Sequence, residues 1–141
     1  MSILILAAMA ATSVPVHRVA LEDEGTHYTI EYVAHIATHS RLTGVGSPRN
    51  APVHRCITTA RVSVERRITD TTSGNTISAM LPETTSMADS QAGRCTAAAM
   101  RGDNLKDIHA DTIAAHLAQT ALTDKQHALA TIKAARSLAA R

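Results

Sequence analysis

The chain has almost no aromatic side chains. Tyr28 and Tyr32 are its two tyrosines, and Phe and Trp are absent from its 141 residues. Aromatic residues ordinarily supply the largest blocks of buried surface, roughly 150–250 Å² each. The interior must therefore be assembled from Val, Ile, Leu, Met and many Ala. A core of that kind is thin, and a thin core gains most from a covalent tie.

The sequence holds two cysteines, Cys56 and Cys95. They are not in a C-x-x-C arrangement, so dithiol redox chemistry has no anchor. In an oxidising compartment such a pair is expected to join. The bond would close a loop of about 40 residues, which the chain-entropy account values at about 4 kcal/mol.

The compartment is suggested by the first residues. Met1 to Ser13 carries no charge, and its apolar core, Ile3 to Ala11, has the length of a signal-peptide h-region. Ala8-Met9-Ala10 fits the small-x-small rule for cleavage, and Ala11-Thr12-Ser13 is a second site. The first basic residue is Arg18, so the usual basic n-region is missing. Residues 1–13 are read as a signal-peptide candidate and 14–141 as one domain. No other apolar run approaches the roughly 20 residues that a transmembrane helix requires.

Charge excludes a polyanion-binding arm. Residues 14–82 carry seven Arg against six acids, and residues 83–141 carry seven basic residues against six acids. Nucleic acid is therefore not an expected partner. The lack of aromatics also argues against stacking platforms for bases.

The first half reads as β structure. Val14 to Leu21 is a short extended segment, and Glu22 to Gly25 is a turn. From Thr26 to Thr38 the chain alternates. Tyr28, Ile30, Tyr32, Ala34 and Ile36 fall on one face, and His27, Glu31 and His35 on the other. Residues 39–52, with two Gly and two Pro, are expected to be a loop. His54 to Ile68 alternates again: Cys56, Ala60, Val62, Val64 and Ile68 face inward, and Arg55, Arg61 and Arg67 face outward. Asp70 to Asn75 is a turn, and Thr76 to Leu81 is a last strand ended by Pro82.

The second half is Ala-rich and helical. Ser86 with Asp89 predicts a short helix toward Met100 that carries Cys95. Asp103 predicts the N-cap of a helix over about 104–120. Thr123 with Gln126 predicts the start of another over 124–139, and one long helix through Thr123 is the competing expectation. The fold class expected is α+β: an antiparallel sheet of about four strands (residues 14–81) with a helical region (86–140) packed on it.

Chemistry-bearing patterns are sparse. His27, Glu31, His35 and His39 are the candidate metal ligands, all from one strand face. At about 3.3 Å per residue, His27 and His35 lie roughly 26 Å apart, so other strands would have to complete a site. Arg55, Arg61 and Arg67 are candidates to face an anion. Gly44 to Pro48 lacks the second Gly of a nucleophile elbow and is not a phosphate loop. No catalytic residue and no cofactor is expected. The function expected is that of a small exported binding or structural protein, periplasmic or secreted, with an envelope protein as candidate partner. A His-dependent metal-binding protein or a hydrolase with a dispersed site is the alternative.

Overall fold

A computed structural model describes residues 14–47 and 50–141. The signal-like stretch, residues 1–13, lies outside the described residues. Four strands, β1 (Val16–Asp23), β2 (Thr26–Ser47), β3 (Asn50–Asp70) and β4 (Thr76–Ala92), form one antiparallel sheet in the order β1-β2-β3-β4. Three helices follow: α1 (Ala97–Arg101), α2 (Asp103–Ile108) and α3 (Ala110–Ala139). This is the expected α+β class.

The alternation sets which face is covered. Ile30, Tyr32 and Ala34 of β2 and Ala60, Val62, Val64 and Ile68 of β3 are buried on the same side of the sheet. They meet Ile113, Leu117, Ala121, Ala128 and Ile132 of α3, together with Leu105 of α2. The α3 residues recur at four-residue steps with one seven-residue step, a single stripe of a 3.6-period helix. Ala121 and Ala128 in that stripe let a helix about 45 Å long approach the strands closely. Among the described residues, no helix covers the opposite face of the sheet.

A two-residue turn joins β1 to β2. Glu24 and Gly25 both take positive φ, 49° and 79°. That backbone matches the right-handed twist of the flanking strands. Arg136, near the end of α3, fastens the turn. Its guanidinium donates to the Asp23 carboxylate (3.0 Å), the Glu24 carboxylate (2.6 Å) and the Tyr28 hydroxyl (2.9 Å).

The elements differ from expectation in four places. Residues 39–52 are not an extended loop: β2 runs to Ser47 and β3 begins at Asn50, with Leu42 paired to Cys56 and Gly44 to His54. The paired backbone overrides the local preference of Gly for irregular structure. Pro82 does not end the last strand. The register shifts between Ser63 and Glu65, so that the chain from Leu81 to Glu83 bulges opposite Val64. An edge strand tolerates proline at such a bulge, where no ladder donor is needed.

The helix predicted from Ser86 is instead strand to Ala92, which pairs with Arg55. Cys95 lies in the connection between β4 and α1. Finally, α3 runs unbroken through Thr123, the competing expectation, and the break falls earlier, at His109. Thr123 donates back to the Thr120 carbonyl (3.1 Å) inside the helix instead of capping a new one.

Candidate functional site

The disulfide is present and links Cys56 to Cys95, with 5.0 Å between their Cα atoms. Cys56 is buried on the inward face of β3, and the bond brings the chain onto the sheet just before α1 begins. Thr96 caps α1, its hydroxyl accepting from the Ala99 amide at 3.1 Å. The sheet then satisfies carbonyls at the other end. Ser40 and Thr58 both donate to the Ala99 carbonyl at 3.3 Å, and Thr38 donates to that of Met100 at 3.1 Å. A helix of one turn is marginal alone; here the disulfide and three strand hydroxyls hold it.

Polar groups converge beneath α3. Arg66 of β3 sits on the inward face among Val62, Val64 and Ile68, and Asp124 of α3 points down at it. One Arg66 amino nitrogen, Nη1, donates to both Asp124 oxygens, at 2.8 and 2.9 Å. The other, Nη2, donates to the Thr131 hydroxyl at 3.1 Å. Tyr32 of β2 completes the group, its hydroxyl donating to Asp124 Oδ2 at 3.0 Å. Both charged side chains are 8% exposed. Burial, and then the Asp124 carboxylate beside it, hold the Tyr32 phenol well above its ordinary pKa.

Two clefts flank α3 at this level, each of about 350 Å³. The first opens between β1 and the helix and is walled by Val19, Leu21, Ile30, Ala121 and Leu122, with Tyr32 at its base. Besides the Tyr32 phenol, its charged or titratable lining groups are His17 and Lys125. The second opens between β4 and the helix, lined by Arg66, Asp124, Glu83, His127 and the bulged Leu81 and Pro82. The Tyr32–Asp124–Arg66 chain thus passes under the helix from one cleft to the other. Volumes of this order lie at the small end of the range for ligand pockets, about 300–1,000 Å³.

The candidate metal ligands and anion-facing arginines lie elsewhere, on the open face of the sheet. His27, Glu31, His35 and His39 are spread along β2, and the first three engage different partners. His27 Nδ1 is 3.8 Å from Glu22, Glu31 accepts from Arg18 at 3.3 Å, and His35 bonds Glu65 at 2.8 Å. Among the described residues, no three His, Cys, Asp or Glu side chains gather as a metal set.

Arg55, Arg61 and Arg67 share the open face of β3, spaced about 20 Å apart by strand rise. Arg55 donates to Ser90 at 2.9 Å, and Arg67 grips Glu65 through two bonds of 3.0 Å. They form no single anion cradle. Glu65 collects both Arg67 and His35, and these hydrogen bonds, that of Arg67 first, lower its pKa to about 2.

Arg66 and Asp124 are the site residues that the sequence reading missed. Arg66 has the parity of the buried β3 residues, and a charge there must find a counter-charge. That parity was the available signal. Among the described residues, no helix is long and apolar enough to cross a membrane. The chain matches no known protein family, and no curated protein or solved structure is significantly similar to it.

Proposed function

We propose that this is a small exported protein, periplasmic or secreted, that acts by binding rather than by turnover. The observation that carries the reading is the Cys56–Cys95 disulfide, which ties the start of the helical region to a core lacking Phe and Trp. Such bonds persist in oxidising compartments and are rare where thiols are kept reduced. The signal-like residues 1–13 point the same way.

Binding rather than catalysis is supported by how the buried polar groups are used. The Tyr32 hydroxyl, the Asp124 carboxylate and Nη1 and Nη2 of Arg66 bond to one another and to Thr131. Their role is to set α3 at a fixed height and register on the sheet. That placement shapes the two clefts, which are the surfaces offered to a ligand or to an envelope partner.

Export is tested by expressing the sequence with a C-terminal tag in a double-membraned bacterium and fractionating the cells. The tagged protein is expected in the periplasm or medium, and deletion of residues 1–13 is expected to strand it in the cytoplasm. Cytoplasmic recovery of both forms would overturn the reading.

A further inference from the structure

We propose that the cleft between β1 and α3 binds an amphipathic anion, a carboxylate carrying a medium-length alkyl chain. The inference rests on the binding role above and names the ligand class. The walls are aliphatic, formed by Val19 and Leu21 of β1 on one side and Leu122 of α3 on the other, with the Tyr32 ring beneath. Leu122 is 74% exposed at the lip, a large apolar side chain left in water unless something covers it. An alkyl chain laid between these walls removes that surface from solvent.

The head group is specified by charge. Lys125 stands one helical turn beyond Ala121 on the same side of α3, and His17 stands on β1. No acidic side chain among the described residues lines this cleft. Among the described residues, Lys125 makes no salt bridge within 4.0 Å, so its ammonium is free to meet a carboxylate. The second cleft is different. Glu83 and Asp124 line it with Arg66 and His127, and this mixed set favours neither sign of charge. Of the two clefts, the one on the β1 side combines an apolar trough with the Lys125 ammonium at its rim.

The test is a titration of the isotope-labelled protein with decanoate and, separately, decylamine, each below its micelle concentration, followed by amide NMR. Decanoate is expected to shift Val19, Leu21, Tyr32 and Leu122 saturably, and to bind at least tenfold more tightly than decylamine. Lys125→Glu, a change at an exposed position, is expected to weaken decanoate about tenfold, the loss of one charge-assisted contact. Leu122→Ser, also exposed, is expected to weaken both ligands.

Equal binding of the two amphiphiles, or indifference of decanoate to Lys125→Glu, overturns the anion assignment. Shifts that follow protein concentration instead of ligand overturn it in favour of a second copy on this face. No response to either amphiphile overturns the site itself. The export reading is judged separately, on cell fractions.

Discussion

Arg66 of the sheet and Asp124 of the long helix form a doubly hydrogen-bonded ion pair, 58 residues apart in sequence and almost sealed from water. Desolvating both charges offsets much of their attraction, so the pair is costly to break and inexpensive to replace whole. Asp124→Leu alone leaves the Arg66 charge buried and is expected to lose about 3–5 kcal/mol of stability. The double variant Arg66→Met with Asp124→Leu is expected to recover most of that loss. Urea unfolding of the three proteins checks both statements, and equal losses in the single and double variants would contradict them.

Reducing the disulfide frees the segment that leads into α1. The bonded cysteines are 39 residues apart. Chain entropy then predicts a loss of about 4 kcal/mol for Cys56→Ser with Cys95→Ser. The loss should be local before it is global: hydrogen exchange at Met100, whose amide bonds the Thr96 carbonyl, should accelerate first, with the β2–β3 ladder still protected. Uniform acceleration would contradict the assignment of this bond to α1.

Gly102 takes a φ of +69° where α1 ends and α2 begins, and its amide bonds the Ala99 carbonyl at 3.0 Å. A Cβ there would strike the Thr38 side chain as well as strain the backbone. Gly102→Ala is expected to cost about 1–3 kcal/mol in thermal or urea unfolding. Combining it with Thr38→Ser, which removes the methyl that the Cβ meets, should recover part of the loss; if it recovers none, the clash is not the cause.

Acid should weaken the fold through Glu65. Its pKa in the folded protein is lowered to about 2 by Arg67 and His35. A depressed folded pKa means that the contribution is fully present above the unfolded value, about 4.3. It is lost as pH falls from there through about 2. The urea midpoint of the native protein should therefore decline across that window more steeply than that of Glu65→Gln. Parallel declines would show that Glu65 contributes no such linkage.

The strands and their faces were legible because period-two alternation is a local signal. Tyr32 and Ala34, Val62 and Val64 lie on the inward side that their parity predicts. What the sequence concealed was set by distant partners. Gly44 and Pro82 look like breaks, yet pairing with β3 carries the strands past both. Ser86 and Asp89 suggested a helix cap, but their neighbours on β3 are Arg61 and Thr58.

Asp124 looked like the opening residue of a second helix, whereas its carboxylate turns inward to Arg66. Parity alone could have flagged Arg66 as a buried charge. Nothing local could say which of the acids would answer it. Both clefts depend on that answer, since it places α3, and so neither was visible before the fold was known.

The state of the Cys56 and Cys95 sulfur atoms in the living cell is the most direct test of an exported, disulfide-tied protein. Protein taken from cells by acid quenching, blocked with an alkylating reagent and digested without reductant should yield one cross-linked peptide joining Cys56 to Cys95. The first residue of the protein itself should be Ala11 or Val14. Recovery of both cysteines alkylated, on chains that still begin at Met1, would contradict the oxidised, exported protein proposed above.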